Sequence, residues 1–158
     1  MKIRKLTPEN YAKASALLRQ AFPKSTYEVT LVENFHENGT EVHEWVCVHT
    51  NRIIAYVAFS NAFKGSDICG LHMGPVAVKP EFQRQGVGSE LLRFALRQQV
   101  IKESTLYVLG SPGFYQKFGF EPCAQPRSSL NKKNTQFLSI RNTTSDLFSV
   151  GYEPEFGI

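Results

Sequence analysis

Long apolar runs are missing from this chain of 158 residues. No stretch approaches the ~18 apolar residues that a membrane-spanning helix needs. The charged N-terminus, MKIRKLTPEN, contains no apolar segment of the kind found in secretory signal peptides. The composition, 42% hydrophobic and 20% charged, is that of an ordinary globular protein. We therefore expect a single domain over residues 1–158, located in the cytoplasm and without a membrane partner.

Cysteine is scarce, and its spacing does not match that of a metal site. The three cysteines, Cys47, Cys69 and Cys123, are odd in number and far apart in sequence. This pattern argues against a disulfide framework and against a zinc site. It fits a reducing cytoplasm, and we predict no metal.

A strong excess of one charge is also absent. Eighteen Lys and Arg against fourteen Asp and Glu give a net charge of +4, without a basic run. This balance is too mild to indicate nucleic acid as a partner, and we expect none. A modest basic excess fits a domain that holds one polyphosphate ligand.

The middle of the chain predicts a strand, a glycine loop and a helix. Met73–Val78 is a short apolar run typical of a buried strand, and Pro80 ends it because proline cannot donate to a sheet. The glycines of Gln83–Gly88 allow a tight turn, and from Ser89 apolar residues recur at helical spacing to about Lys102. Free N–H groups at the start of such a helix form a site for an anion. Taken alone, the loop is more typical of a plain tight turn.

Two motifs together are more specific. Gln83-x-x-Gly86-x-Gly88 resembles the acetyl-CoA loop of the GNAT family of N-acetyltransferases, and Phe114–Phe120 resembles that family's second signature. The form Gly110–Tyr115 is similar to a bacterial branch of predicted acetyltransferases called YhbS-like. The resemblance implies acetyl-CoA as the co-substrate, with the pyrophosphate on backbone N–H groups of the loop and the pantetheine arm along the preceding strand. The donor-binding residues that it implies are Val76, Ala77, Val78, Gln83, Arg84, Gln85, Gly86, Val87, Gly88 and Ser89.

The remaining pattern predicts the element order β-αα-βββ-α-β-α-β-β. By the resemblance, the fold class is α/β (α+β), with a mixed, mostly antiparallel central sheet flanked by helices. The expected elements outside the central stretch are a first strand near Ile3–Leu6, a helix capped by the Thr7 hydroxyl, a helix over Tyr27–Asn38, strands at Trp45–Val48 and Ile53–Phe59 with a turn near Asn51-Arg52, a polar loop over Asn61–Asp67, a strand at Leu106–Leu109, a short helix over Phe114–Phe118 and two last strands. The tail, residues 143–158, shows no clear period, so packing on the body and mobility both stay open.

Two residues are candidates for proton transfer. By the resemblance, Tyr115 lies near the thioester sulfur and protonates the leaving thiolate; the alternative is a core aromatic. His72 lies near the start of the central strand and has an ordinary pKa suited to a base, although a lone histidine is more often structural. Glu28 and Glu33 are alternative bases, and a mechanism that selects the free amine needs none.

These residues predict an acetyl-CoA-dependent N-acetyltransferase that transfers the acetyl group directly to a primary amine of a small molecule or a protein. The alternative is a non-catalytic acyl-CoA-binding sensor or assembly domain. The acceptor is expected to be recognised by the segments around Phe22–Tyr27, Asn61–Asp67 and Gln125–Thr135. A homodimer is compatible with the resemblance.

Overall fold

The computed structural model describes residues 1–130 and 136–157. Its strands are β1 (Lys2–Lys5), β2 (Val42–His49), β3 (Arg52–Lys64), β4 (Asp67–Val78), β5 (Leu106–Gly110), β6 (Glu121–Pro122), β7 (Arg127–Ser128), β8 (Gln136–Ile140) and β9 (Ser149–Val150). Its helices are α1 (Tyr11–Ala21), α2 (Tyr27–Asn38), α3 (Val87–Leu96), α4 (Gln99–Lys102) and α5 (Pro112–Tyr115).

The strands form a seven-stranded sheet in the order β1-β2-β3-β4-β5-β8-β6. β4 and β5 are parallel, whereas the pairs β1–β2, β5–β8 and β6–β8 are antiparallel. The predicted fold class, a mixed and mostly antiparallel sheet flanked by helices, is therefore confirmed. A small parallel sheet of β7 and β9 was not predicted.

The contacts between residues divide the chain into two compact units, and β3 and β4 each contribute residues to both units. Unit 1 is Met1–Phe59 with Gly74–Leu96, and unit 2 is Ser60–Met73 with Arg97–Ile158. The single-domain expectation stays a prediction. Ile158 and residues 131–135, which end the predicted specificity segment Gln125–Thr135, lie outside the described residues.

Unit 1 is built on the apolar faces of α1 and α2. Leu17 and Leu18 of α1 and Val32 of α2 are buried in one cluster with residues of β2 and β3. The helical period of the apolar residues explains this, because it places them on one stripe that can only be removed from water against the sheet. The predicted helix Tyr27–Asn38 is confirmed, and Gly39 ends it in the left-handed region at φ 66°.

The entry into α1 differs from the prediction. The Thr7 hydroxyl makes no capping bond to the backbone; it accepts a bond from the Asn10 side-chain amide at 3.4 Å. A 3-10 turn at Pro8–Asn10 leads into the helix instead, with the Asn10 N–H bonded to the Thr7 carbonyl at 2.9 Å.

The predicted polar loop Asn61–Asp67 is wrong. β3 continues to Lys64 and β4 begins at Asp67, so the turn is the dipeptide Gly65-Ser66 with Gly65 at φ 63°. The polar side chains misled the sequence argument because they lie inside a strand: Asn61 is 8% exposed. The turn between β2 and β3 is likewise at Thr50-Asn51, one residue before the predicted place, with positive φ at both residues.

The predicted helix to Lys102 is interrupted. α3 ends at Leu96, and Gln98 adopts an extended conformation that starts α4, accepting the Lys102 N–H at 2.9 Å. The helix also begins at Val87 rather than Ser89. Neither glycine nor proline marks the break, so the local sequence carries no signal for it.

In unit 2 the tail packs onto the strands, which decides between the two alternatives. Phe63 and Gly151 exchange backbone hydrogen bonds of 3.0 and 2.8 Å. Val150 is fully buried in a cluster with Tyr107. Leu147, by contrast, is 62% exposed.

Candidate functional site

The loop between β4 and α3 is held by its own glutamines. The Gln83 side-chain amide donates to the Val78 carbonyl at 3.0 Å, and the Gln85 side-chain amide donates to the Glu81 carbonyl at 2.9 Å. Both residues were predicted to bind the donor molecule. Their side chains fix the shape of the loop. The Gln83 N–H donates to the Pro80 carbonyl at 3.3 Å, whereas no carbonyl of the described residues accepts the Gln85 N–H.

We define the donor loop as Gln83–Ser89. Arg84 and Gly86 have positive φ angles of 63° and 81°. For an arginine this conformation costs about 1–2 kcal/mol, which the surrounding structure has to compensate. Residues with positive φ within such a loop are also a feature of anion-binding backbone concavities.

The N–H groups of Arg84–Ser89, which follow Gln83 in the donor loop, are available to a ligand. Within the described residues, no carbonyl accepts the N–H groups of Arg84–Ser89, while the Gly86 carbonyl accepts the Glu90 N–H at 3.0 Å and starts α3. The positive end of the helix dipole therefore coincides with several unaccepted donors, an arrangement that favours a phosphate. Lys79 is 3.6 Å from the Glu81 carboxylate, which offsets part of its charge.

The two glycines of the donor loop serve different purposes. Gly86 is required for its conformation, because its φ is 81° and a Cβ there would meet no atom of the described residues within 4 Å. Gly88 is required for room, since a Cβ would lie 3.1 Å from Cγ2 of Val78. Gly88 thus lets the first turn of α3 approach the end of β4.

The predicted strand residues alternate between two environments. Ala77 is 3% exposed and belongs to the apolar cluster under α1 and α2, whereas Val76 and Val78 are half-buried. Gly74, three residues before Ala77, has φ 145°, a conformation that favours glycine.

Tyr115, the predicted proton donor, lies in unit 2 at the end of α5. Its ring makes edge contacts with Phe114 and Phe120, at centroid distances of 5.0 and 6.0 Å. The hydroxyl makes no hydrogen bond within the described part of the chain. Burial raises the pKa of the Tyr115 hydroxyl, so that it carries its proton at neutral pH and can donate it.

The Tyr115 ring lies against Gly110. A Cβ built on Gly110 would overlap Cε2 of the ring and would lie 2.9 Å from Cδ2. Sequence reasoning missed this contact, because a glycine at the end of a strand is ordinarily attributed to the following turn.

His72, the predicted base, is enclosed by the C-terminal segment of unit 2. It is 4% exposed, and its ring is stacked on Tyr152 with centroids 3.7 Å apart. Nε2 lies 2.9 Å from the Gly151 carbonyl, which can only accept, so Nε2 carries the hydrogen. Burial lowers the pKa of His72 to about 4, although the bond to Gly151 opposes this. A neutral imidazole in this setting could accept a proton only at Nδ1.

The alternative bases differ in their surroundings. Glu33 pairs with Arg19 at 3.1 Å on the surface. Glu28, on α2, is half-buried, and its Oε1 is buried without a hydrogen-bond partner in the described residues. An unaccompanied carboxylate oxygen is costly to bury, so Glu28 is the carboxylate of this pair with unused bonding capacity.

A further polar cluster, which the sequence did not reveal, joins the elements of unit 1. Glu44 of β2 accepts at Oε2 from the Tyr56 hydroxyl at 2.5 Å, and His36 Nε2 lies 2.7 Å from the same oxygen. Tyr11 stacks on His36 with centroids 3.5 Å apart. Burial raises the pKa of Tyr56, and the Glu44 carboxylate adds to the effect. Through these contacts the cluster connects α1 and α2 to strands β2 and β3.

The described residues contain no helix long and apolar enough to cross a membrane.

Comparison with protein families places the motifs in context. The family model described as an acetyltransferase (GNAT) domain matches residues 40–122. The uncharacterized N-acetyltransferase YhbS of Escherichia coli K12 is 32% identical over 127 residues, which cover 78% of this chain and 75% of the relative. The uncharacterized N-acetyltransferase YjhQ of the same organism is 36% identical over 80 residues, and that match spans 44% of YjhQ.

Solved structures agree with these matches. The crystal structure of E. coli YhbS in complex with CoA superposes with a TM-score of 0.87 and 28% identity, over 99% of this chain and 92% of that one. A GNAT acetyltransferase from Brucella melitensis, in complex with acetyl-CoA, gives a TM-score of 0.79 and 25% identity over 98% and 97% of the two chains.

Proposed function

Because the chain belongs to the GNAT family of acetyltransferases, we propose that it is an acetyl-CoA-dependent N-acetyltransferase. In this proposal the acetyl group passes directly to a primary amine of a small molecule or a protein. The observation that carries the proposal is in the donor loop, where no carbonyl of the described residues accepts the N–H groups of Arg84–Ser89 at the start of α3.

The donor loop supports binding of the CoA pyrophosphate. Two phosphates carry the charge that the N–H groups of Arg84–Ser89 and the helix dipole favour. Backbone groups of Val76, Ala77 and Val78 would bond to the pantetheine amides. YhbS and the Brucella enzyme, which are similar to this chain, were solved with CoA and acetyl-CoA respectively.

The chemistry needs a neutral amine and a protonated leaving group. The amine lone pair attacks the carbonyl carbon of the thioester, a C–N bond forms, and the C–S bond breaks. The amine loses one proton and the sulfur gains one, so that N-acetylamine and CoA thiol are the products. We assign the donation to Tyr115, whose hydroxyl is protonated and makes no bond within the described residues.

The base is not assigned to a residue. The enclosure of His72 supports a role in holding Gly151 and Tyr152 of the C-terminal segment. A role as base would have to use Nδ1 alone. Solvent can supply the neutral amine before binding, and the proton that the nitrogen loses after the attack can return to the Tyr115 oxygen once this group has protonated the sulfur, so that this route needs no further base.

Calorimetry with a matched pair of variants tests the donor site. Gly86→Glu puts a carboxylate where the pyrophosphate is expected, while Gly39→Glu puts the same charge and the same left-handed strain elsewhere in unit 1, at φ 66° with no atom within 4 Å. We expect wild type and Gly39→Glu to bind acetyl-CoA in preference to ATP. Gly86→Glu should bind acetyl-CoA at least ~100-fold more weakly, because two like charges at close range cost several kcal/mol. No binding by a folded wild type would contradict the proposal.

Thiol release from acetyl-CoA across a panel of amines separates the enzyme from the sensor. Release that depends on the amine and saturates supports transfer. Tight binding of acetyl-CoA with no release for any amine would favour the non-catalytic acyl-CoA-binding alternative.

A further inference from the structure

We propose that Gly110 is a positioning residue that sets the place of the Tyr115 hydroxyl for proton donation. The inference rests on the proposed function, because it concerns the efficiency with which the leaving thiolate is protonated. It assigns a role to a glycine that lies outside both the donor loop and the helix that carries Tyr115.

The backbone at Gly110 is fixed by the sheet. Gly110 is the last residue of β5 and is paired with Gln136 of β8, directly after the pair Leu109–Phe137. Its φ is not among the positive values of this chain, so alanine fits its conformation. The reason for a glycine here is therefore space and not backbone freedom.

That space is filled by the Tyr115 ring. A Cβ on Gly110 would overlap Cε2 and would lie 2.9 Å from Cδ2 and 3.4 Å from Cζ. These atoms form one edge of the ring and include Cζ, which carries the hydroxyl, so a displacement of this edge also moves the hydroxyl oxygen.

The ring cannot be displaced without changing its direction. The Tyr115 N–H bonds to the Ser111 carbonyl at 3.2 Å, which fixes the backbone at the start of the side chain. Phe114 and Phe120 also contact the ring, and Phe120 is 1% exposed. With both backbones fixed, a methyl group at Gly110 has to be accommodated by rotation of the Tyr115 side chain. A misplacement of about 1 Å is enough to cost a large factor in rate.

Gly113, three residues after Gly110, offers a matched control. A Cβ at Gly113 would lie 4.0 Å from Oγ of Ser111, an ordinary contact, and Gly113 is in α5, where alanine is favoured. Gly110→Ala and Gly113→Ala therefore make the same chemical change three residues apart, and the first alone meets the ring.

The test is a double-mutant cycle with Tyr115→Phe, using acetyl-CoA and an amine from the panel that wild type accepts. We expect Gly110→Ala to lower kcat by about 10-fold or more while the Kd for acetyl-CoA stays within about twofold, and to cost less than about twofold in the Tyr115→Phe background. Gly113→Ala should keep kcat within about twofold. Wild-type kcat in Gly110→Ala, or an equal loss in both backgrounds, would overturn the inference.

A second measurement does not need turnover. In wild type, the Gly110 Hα resonances should be shifted by the ring current of Tyr115, and the shift should disappear in Tyr115→Leu. Absence of that shift in wild type overturns the placement. A wild type that places the ring on Gly110 but releases no thiol with any amine overturns the proposed function instead, so the two failures are distinguishable.

Discussion

Replacing Tyr56 with phenylalanine removes a single hydroxyl from the interior of unit 1. In the folded protein this hydroxyl donates to Oε2 of Glu44 at 2.5 Å, and His36 approaches the same oxygen at 2.7 Å. Tyr56 is fully buried, so no water replaces the lost donor. The ring remains, and the change therefore tests one hydrogen bond and little else.

The magnitude follows from the charge of the acceptor. A hydrogen bond to a charged group contributes about 1.5–3 kcal/mol, against ~1 kcal/mol for a neutral pair. Because Glu44 keeps His36 as a partner, we expect the free energy of unfolding to fall by about 2 kcal/mol. For a chain of this length, each kcal/mol lowers Tm by roughly 2–4 °C, so Tm should fall by about 4–8 °C.

Tyr11→Phe is the control, because it removes a hydroxyl from the same cluster. Tyr11 stacks on His36, and its hydroxyl makes no hydrogen bond within the described residues. We expect its unfolding free energy to stay within ~0.5 kcal/mol of wild type. Both variants are measured by urea unfolding at pH 7 and by calorimetry. Equal losses in the two variants would refute the assignment of the stabilisation to the Tyr56–Glu44 bond.

Three further predictions concern the titration of His72, the proton donor and the donor loop. The pKa of His72 is lowered to about 4, so between about pH 6.5 and pH 4 the unfolded chain binds a proton that the folded chain does not. The free energy of unfolding should therefore fall by about 3 kcal/mol as the pH drops from 6.5 to 4, and urea unfolding of a His72→Gln variant should lack this pH dependence. Tyr115→Phe should lower kcat by about 10²-fold without changing the Kd for acetyl-CoA, and unchanged turnover in the variant would refute the donor role. Because burial raises the pKa of Tyr115, the activity of the wild type should fall at high pH only above about pH 10. Arg84→Gly removes the strain of a side chain at a φ of 63°, so Tm should not fall. The Kd for acetyl-CoA should rise by about 3- to 10-fold at low salt and by less at high salt, and a Kd equal to that of wild type at low salt would exclude a contact between Arg84 and the ligand.

Features encoded by adjacent residues were predictable. The helix Tyr27–Asn38 was located to the residue because Gly39 terminates it. The donor loop was predictable because its turn, its glycines and its helix start are consecutive in sequence. The polar residue Asn61 was misread because its environment is set by neighbouring strands, and burial by tertiary structure overrides the local signal.

The environment of the candidate side chains was not predictable in the same way. The bond from His72 to Gly151 joins residues 79 positions apart, and no local pattern indicates such a partner. The requirement for glycine at position 110 depends on a ring that returns to the strand from the following helix. Residue type predicted which groups can transfer a proton, while burial and contacts decide which of them are free to do so.

The division of the chain has a consequence during translation. All residues of unit 1, Met1–Phe59 and Gly74–Leu96, have been synthesised before Arg97 is added. The segment Ser60–Met73, by contrast, cannot complete its contacts until Gly151 has been synthesised, because Gly151 accepts a hydrogen bond from His72 and lies 79 residues further along the chain. At ~5–20 residues per second, the ribosome takes on the order of 4 to 16 s to supply that partner. For that interval Ala62 lacks Val150, with which it shares a buried cluster in the folded protein, so the nascent chain exposes apolar surface of the kind that chaperones bind.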